Sequence, residues 1–302
     1  MKTVTVLTPT YNREKLLEKL YKSLINQTCK DFLWYIVDDG SEDETENFVK
    51  LLQKENKITI IYKKKINGGK HTALNQGIVE INTELTFIVD SDDWLPANAI
   101  ENIVKVHNQY KGEDNLCGYS FLRFYPDGKI NTAYFPKNGN IDTYVNVRVN
   151  GNIGGDKAEV FYTEKLKQFP FPVYQNEKFL PEDLVWVKMS GPYRMVHINE
   201  CIYISDYLEG GLTKSGRRMK LHSPLGMMAR SEAYLQDPEV NWKTKVKMML
   251  LYQIYGKSAG MKVSELKDKI ERKGLFDICM PFSKVIGYWW RRKYATEGTK
   301  RS

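Results

Sequence analysis

Three carboxylates follow directly after an apolar run in the sequence FIVDSDDWLP, residues 87–96. Asp90 and Asp92 are separated by one residue, so both can offer oxygen atoms to one hard divalent cation in a turn. Mg²⁺ and Mn²⁺ favour this arrangement because the metal bridges protein charge and the phosphate oxygens of a substrate. Asp93 lies one position further on and is expected only to cap the turn. Because the pattern is short, it also fits a plain solvated turn.

Residues that suit a nucleotide follow other apolar runs of the sequence. Asp39 can accept a hydrogen bond from a nucleobase imide N–H or a ribose hydroxyl, and Tyr11 can stack on a base. Lys70 follows Gly68 and Gly69, which permit a close backbone approach to a phosphate that the lysine can meet. Taken singly, Asp39 also fits a simple turn and Lys70 a solvated lysine.

These polar clusters are positioned by strands and helices that alternate over residues 1–125. The predicted strands are Val4–Thr8, Phe32–Val37, Ile58–Tyr62 and Leu85–Val89. The predicted helices lie at residues 13–25, after the capping-box pattern Ser41–Glu44 with an apolar face of Phe48, Leu51 and Leu52, at His71–Ile81, and after Pro96. Apolar strands separated by helices indicate a mostly parallel sheet covered on both faces. Ligands bind beyond the carboxyl ends of such strands, so the clusters are expected to share one edge.

The remainder of the chain has weaker patterns. Residues 124–155 are rich in Gly, Asn and Pro and predict loops and short strands. Pro181–Ser190 predicts a short helix, strands follow near Met195–Ser205, and the chain beyond about residue 215 reads as helical and basic.

The composition of the chain indicates what kind of partner it binds and in which compartment it is expected. The 302 residues are 42% hydrophobic and 27% charged, with a net charge of +8, which favours anionic partners. The sequence has no apolar run of roughly eighteen residues, and its first residues lack the apolar segment of a signal peptide, so we expect a cytoplasmic protein. The cysteines have no CxxC spacing, which argues against a zinc site or a disulfide framework: Cys29, Cys117, Cys201 and Cys279.

Five segments together resemble the family 2 glycosyltransferases over roughly the first 215 residues. They are TPTYNR (8–13), VDDGSEDET (37–45), NGGKHTALNQG (67–77), VDSDDWLP (89–96) and Glu182-Asp183. The resemblance implies the GT-A fold of the α/β class, a Rossmann-like mixed and mostly parallel sheet flanked by helices, with a helical C-terminal extension. The expected domains are a catalytic domain at 1–215 and a helical basic region at 216–302. The former has a nucleotide-sugar-binding half, 1–125, and an acceptor-binding half, 126–215.

The resemblance also implies an activity. It is the transfer, with inversion, of a hexosyl or N-acetylhexosaminyl group from a UDP-sugar or another nucleoside-diphosphate sugar to an acceptor hydroxyl. The expected setting is bacterial cell-surface or extracellular polysaccharide synthesis, with a glycan or lipid-linked glycan as acceptor and Mn²⁺ or Mg²⁺ as cofactor. Nucleic acid is not an expected partner.

Roles carried over from the family fall on individual residues. The donor-binding residues implied by the resemblance are Thr8, Tyr11, Asp39, Lys70, Asp90 and Ser91. Asp92 and Asp90 are the implied metal ligands. Asp183 is the implied catalytic base, with Glu182 binding the acceptor or exchanging roles with it, and Asp156 is an implied acceptor contact. Two further hypotheses are a Gly210-Gly211 loop that closes over the donor phosphates and His222 as a metal ligand, with a surface histidine as the alternative.

Other functions fit parts of the sequence. A nucleotidyltransferase has a similar α/β nucleotide site but needs more basic residues in its first loop than Arg13 alone. A nucleic-acid-binding protein would explain the positive charge but not the paired carboxylates. A non-catalytic nucleotide-sugar-binding protein remains an alternative.

The segment Pro281–Lys293 places aromatic residues beside a cationic cluster. Such a segment can lie peripherally at the inner face of the plasma membrane, with Trp at headgroup level and Arg or Lys on phosphates. The equal alternative is a helix that packs Trp289 and Trp290 on the catalytic domain.

Overall fold

The computed structural model describes residues 2–131, 133–205 and 216–295. The chain forms two compact units, of which the first comprises Met1–Phe171 and Met189–Tyr207 and the second Pro172–Lys188 and Leu208–Ser302. The predicted domain division at residue 215 stays a prediction. The Gly210-Gly211 loop lies outside the described residues.

A mixed sheet forms the centre of the first unit. Its strands are β1 (Val4–Thr10), β2 (Phe32–Asp38), β3 (Ile60–Lys64), β4 (Leu85–Ile88), β5 (Leu116–Phe124), β6 (Asn140–Asp142), β7 (Lys157–Tyr162) and β8 (Arg194–Ile204). Their order is β3-β2-β1-β4-β7-β5-β8-β6. β1 to β4 pair in parallel, as do β5 and β8, whereas β7 and β6 pair with their neighbours in antiparallel. The predicted mixed, mostly parallel sheet is confirmed.

Helices cover the sheet and explain the apolar patterns. They are α1 (Glu14–Ile25), α2 (Thr45–Glu55), α3 (Lys70–Glu80), α4 (Ala99–Tyr110) and the short α5 (Thr163–Leu166), with a π-helical turn at Val145–Asn150. Every residue of β1 is buried, as expected of a parallel strand covered on both faces. In α1 the buried residues recur at helical spacing, and Leu17, Leu20 and Leu24 pack in the same core as Trp34 of β2.

The start of α2 differs from the predicted capping box. The helix begins at Thr45, and the side chain of its N-cap residue Glu44 makes no capping hydrogen bond, whereas the Asp43 carboxylate accepts the Thr45 N–H at 3.1 Å. Ser41 does not cap the helix. Instead, the Ser41 hydroxyl accepts a hydrogen bond from the Asn12 backbone N–H at 2.8 Å. The Ser41 hydroxyl is therefore engaged by the loop after β1, and Asp43 bonds to the start of α2 in its place. Leu51 was wrongly predicted to face the core, since it is 58% exposed.

The second unit is helical in the part of the chain that the structure describes. It contains the start of α6 (Asp183–Ser190), then α7 (Gly216–Leu221), α8 (Pro224–Gln236), α9 (Trp242–Ser258), α10 (Val263–Asp268) and α11 (Lys273–Ala295). α9 packs against both α8 and α11. The predicted helical C-terminal segment is confirmed. Among the described helices, none is long and apolar enough to cross a membrane.

Candidate active site

The loop after β4 carries Asp90 and Asp92 between two basic side chains. Arg13, which follows β1, donates from Nη1 to Oδ2 of Asp92 at 2.8 Å. Lys70, the first residue of α3, forms an ion pair with Asp90. Both aspartate side chains remain 30% exposed. Because β1 and β4 are parallel neighbours, their carboxyl ends share an edge of the sheet. The structure brings the predicted site residues Asp90, Asp92 and Lys70 together there with Arg13, which was not predicted to belong to the site.

Positive charge surrounds Asp90. Burial by itself raises the pKa of this carboxyl, but the charges of Lys70, Arg123 and Arg13 bring the pKa below its ordinary value. Arg123 lies within β5, and its guanidinium is 3.9 Å from the centroid of the Tyr203 ring. The carboxylate is therefore ionised at neutral pH and lies in a basic environment suited to a diphosphate.

Tyr203 of β8 fixes the same loop to the sheet. Its hydroxyl donates to Oδ2 of Asp93 at 2.7 Å and accepts from the backbone N–H of Asp90 at 3.0 Å. Asp93 is buried, and burial together with the charge of Asp90 raises its pKa to about 7. Asp93 thus does more than cap its turn, because its side chain bonds to a strand remote in sequence.

Asp39 organises the loop that leads to α3. Its Oδ1 accepts from Lys65 Nζ at 2.8 Å and from the Gly68 N–H at 2.9 Å, and its Oδ2 accepts from the Gly69 N–H at 2.6 Å. Gly69 has a φ of +96°, which disfavours any residue with a Cβ. The Thr72 hydroxyl lies 3.5 Å from Oδ1 as a third donor to that oxygen, so Oδ2, which accepts from Gly69 alone, is the oxygen with room for a further donor.

The remaining donor-side predictions fall in different environments. Tyr11 is 44% exposed and presents its ring to solvent. Thr8 is fully buried within β1, and its hydroxyl accepts from the Trp34 indole N–H at 2.9 Å. The Thr8 side chain therefore belongs to the core, and the donor role predicted for this residue stays a prediction. Ser91 is buried in the turn between the two aspartates.

Asp156 is exposed at the start of β7. The loop before it is fixed by Arg148, whose guanidinium donates to the Ile153 carbonyl at 3.0 Å and to the Gly155 carbonyl. The predicted acceptor contact thus sits on a constrained loop, and its role stays a prediction.

In the second unit, Asp183 is the first residue of α6, and its carboxylate is tightly held. Arg230 of α8 donates from Nε at 2.7 Å to Oδ1 and also pairs through Nη2 with Oδ2. Tyr234, one turn later, donates to Oδ2 at 2.7 Å. Although burial raises the pKa of Asp183, the charge of Arg230 lowers it overall. Glu182, beside it, is half-buried.

The residues present fit a divalent cation of the Mg²⁺ or Mn²⁺ type. Asp90 and Asp92 offer carboxylate oxygens at a partly exposed edge, and these metals take their other ligands from water and substrate phosphates. Among the described residues no group of three or more His, Cys, Asp or Glu side chains is arranged around a metal position. His222 is exposed and belongs to the second unit, and its predicted role as a ligand stays a prediction.

Several residues of the site were not predicted. Arg123 had a usable signal, since a charged residue inside the apolar strand CGYSFLRF calls for a buried partner. Arg230 and Tyr234 are four residues apart and lie on one helix face. This spacing indicates that they contact a common partner, but it does not identify that partner as Asp183. Tyr203 and Lys65 had no such signal, because each acts through a bond to a segment remote in sequence.

Comparison with known proteins identifies similar sequences and folds. The profile of Glycosyl transferase family 2 matches residues 5–157, half of the chain. The chain is 27% identical over 230 residues to GalNAc(5)-diNAcBac-PP-undecaprenol beta-1,3-glucosyltransferase of Campylobacter jejuni, covering 73% of this chain and 72% of the relative. Several other relatives are covered over only 14% to 43% of their own length.

Two solved structures share the fold over nearly the whole chain. Residues 1–349 of S. aureus TarS in complex with UDP-GlcNAc superpose with a TM-score of 0.66 at 18% identity, covering 97% of this chain and 88% of that one. The mannosyltransferase PcManGT of Pyrobaculum calidifontis, in complex with GDP-Man and Mn²⁺, has a TM-score of 0.59 at 16% identity, covering 98% and 84%. At these identities the likeness shows the fold alone, and it confirms the expected GT-A architecture.

Proposed function

The chain belongs to glycosyl transferase family 2, and from this membership we propose that it transfers a hexosyl or N-acetylhexosaminyl group from a UDP-sugar to an acceptor hydroxyl with inversion. The observation that carries the proposal is the pair Asp90 and Asp92 held between Lys70 and Arg13 at the carboxyl edge of parallel strands. This edge offers both the anionic ligands that a divalent cation needs and the cations that a diphosphate needs.

The nucleoside lies on the ends of β1 and β2 in this proposal. The exposed ring of Tyr11 stacks on the base. Asp39 accepts the imide N–H of uracil on Oδ2, which within the protein accepts from the Gly69 N–H alone. Since the bonds to Lys65 and the glycine backbone fix the carboxylate in place, the site selects a base with a donor at that position.

The diphosphate lies over the loop after β4. Lys70 and Arg13 exchange their carboxylate partners for phosphate oxygens as the donor binds. Asp90 and Asp92 would hold a divalent cation, Mn²⁺ or Mg²⁺, whose charge would stabilise the leaving diphosphate. The two basic side chains stabilise the same developing charge from the protein side.

The acceptor hydroxyl is a weak nucleophile and needs a base. Asp183 takes its proton, since its lowered pKa keeps the carboxylate ionised at neutral pH. Arg230 and Tyr234 fix the orientation of that carboxylate. Glu182 and Asp156 contact the acceptor. Attack from the side opposite the leaving group gives inversion.

The acceptor is a bacterial surface glycan or a lipid-linked glycan in this proposal. Support comes from the Campylobacter relative, whose name describes a glycan on a diphosphate-linked polyprenol as its substrate. A cytoplasmic location, peripheral to the inner face of the plasma membrane, belongs to the same proposal.

Calorimetry of UDP binding tests the donor site. Wild-type protein is expected to bind UDP at least about tenfold more tightly with Mn²⁺ than without it, and Asp92→Asn to lose this gain. Asp127→Asn is the matched control, because Asp127 lies in an exposed turn and pairs with Lys129 at 2.8 Å. The metal-dependent proposal would be wrong if the affinity for UDP were the same with and without Mn²⁺ and unchanged in Asp92→Asn.

A screen of UDP-sugars for hydrolysis or transfer tests the chemistry. Asp183→Asn is expected to lower kcat by about 10²–10⁴-fold while UDP still binds. Near-normal turnover in this variant would move the base to Glu182. Release of pyrophosphate from a nucleoside triphosphate would identify a nucleotidyltransferase, and UDP binding without turnover of any donor would favour a non-catalytic binding protein.

A further inference from the structure

The last helix presents an apolar stripe to solvent. The stripe consists of Ile278, Phe282, Val285 and Trp289, which are 67%, 61%, 60% and 67% exposed. Their spacing of four, three and four residues places them on one face of α11. Single exposed apolar residues are normal on a protein, but an aligned row of four large ones marks an interaction surface.

The opposite face of α11 holds the helix in place. Phe276, Cys279 and Ser283 are buried, and α11 packs along α9. Trp290 lies 6.3 Å from Tyr255 of α9, measured between ring centroids. The two adjacent tryptophans therefore differ: Trp290 is half-buried against α9, whereas Trp289 is exposed to solvent. The stripe is carried by a helix whose other side is anchored.

Cations flank the C-terminal end of the stripe. Arg292 and Lys293 are exposed and follow Trp289 by three and four residues, so they lie on either side of it. Lys284 and Arg291 lie elsewhere on the helix, where they line a cavity against α9. The one acidic residue of the α11 sequence, Asp277, forms an ion pair with Lys267 at 2.7 Å. The helix thus combines an apolar stripe with a positive border at its C-terminal end, formed by Arg292 and Lys293.

We propose that this face of α11 binds the surface of an anionic lipid bilayer. The apolar stripe enters the boundary between headgroups and acyl chains, with the helix lying in the plane of the membrane, and the cations contact lipid phosphates. Trp289 sits at headgroup level beside Arg292 and Lys293. The helix lies on the membrane and does not cross it, since it is not apolar enough to span.

The combination of apolar and positive side chains favours an anionic bilayer over a second copy of the chain or a nucleic acid as the partner of this face. A second copy of the chain would cover the apolar stripe but offer no anionic partner to Arg292 and Lys293, since Asp277 is the one acidic residue in the sequence of α11. A nucleic acid would satisfy the cations but leave Ile278, Phe282 and Val285 in water. An anionic bilayer is complementary to both the stripe and its border.

Co-sedimentation of the full chain with vesicles tests the proposal without donor or acceptor, so its outcome is separate from that of the transferase proposal. Vesicles of phosphatidylcholine with phosphatidylglycerol are expected to bind the protein, and pure phosphatidylcholine to bind it at least about tenfold more weakly. Phe282→Glu and Trp289→Glu are each expected to weaken binding by about tenfold or more. Leu51→Glu, at a 58% exposed position on α2, is the matched control and should bind as the wild type does.

A charge series tests the border. The double variant Arg292→Gln/Lys293→Gln is expected to lose roughly fivefold in binding per charge removed. Lys54→Gln/Lys105→Gln removes the same charge from exposed positions on α2 and α4 and should have little effect. The proposal fails if wild-type protein ignores anionic vesicles, if the control variants lose as much binding, or if Phe282→Glu instead dissociates a dimer in light scattering.

Discussion

Replacing Tyr203 with Phe removes one hydroxyl group from the loop that carries the two candidate metal ligands. The ring keeps its edge contact with Phe87 and its position under Arg123. Two hydrogen bonds are lost, one to the Asp93 carboxylate at 2.7 Å and one from the Asp90 N–H at 3.0 Å. Above the pKa of Asp93 its carboxyl is ionised, and there a bond to this charged group contributes about 1.5–3 kcal/mol and the neutral bond about 1 kcal/mol. The free energy of unfolding should fall by about 3 kcal/mol.

The same change should weaken donor binding. Once its backbone N–H is released, Asp90 must be ordered again when the donor binds, which costs about 1–2 kcal/mol for one residue. The dissociation constant for UDP with Mn²⁺ is therefore expected to rise by about tenfold. Urea unfolding followed by circular dichroism gives the stability, and calorimetry on the folded variant gives the affinity.

Tyr119→Phe is the matched control for this prediction. Tyr119 is also fully buried in the sheet, and its hydroxyl bonds to His107 Nδ1 at 3.0 Å and to the Tyr162 hydroxyl at 2.8 Å. Its loss should lower stability by about 2 kcal/mol and leave UDP affinity within about twofold. If Tyr203→Phe bound UDP as tightly as Tyr119→Phe does, the conclusion that Tyr203 positions the Asp90 loop for donor binding would be wrong.

Three further changes test other parts of the structure. Burial lowers the pKa of His197 from 6.5 to about 4, so as pH falls through this range only the unfolded chain takes up the proton, and the contribution of His197 to stability should drop by about 3 kcal/mol. The difference in stability between the wild type and His197→Leu, measured by urea titrations at several pH values, should change by this amount, because the contribution of Asp93 is common to both proteins. Because the charge of Arg230 lowers the pKa of Asp183, Arg230→Gln should move the acid limb of the kcat/KM profile to higher pH, and an unmoved limb would contradict the assignment of Asp183 as base. The Glu177 carboxylate accepts two backbone N–H groups at the start of α8, at 2.7 and 2.8 Å, so Glu177→Gln should lower the free energy of unfolding by about 1–2 kcal/mol in urea.

Much of the fold follows from local pattern. The parallel strands were predicted because apolar runs such as FLWYIV fit a strand covered on both faces, and the sheet confirms them. The carboxyl ends of these parallel strands then determine which polar residues lie close together in the structure. Prediction was wrong where a distant bond competes with a local one, as at Ser41, whose hydroxyl bonds to Asn12 instead of capping α2.

The sequence by itself determined the alternation of strands and helices and the edge to which Asp90, Asp92 and Lys70 belong, because hydrophobic periodicity and strand direction are local properties. Only the tertiary structure decided which partners complete that edge. Tyr203 reaches Asp93 across 110 residues of chain, and hydrogen-bond partners at such separations leave no periodic signal. The tertiary structure likewise separated Trp289 from Trp290, since exposure depends on what packs against each face of α11.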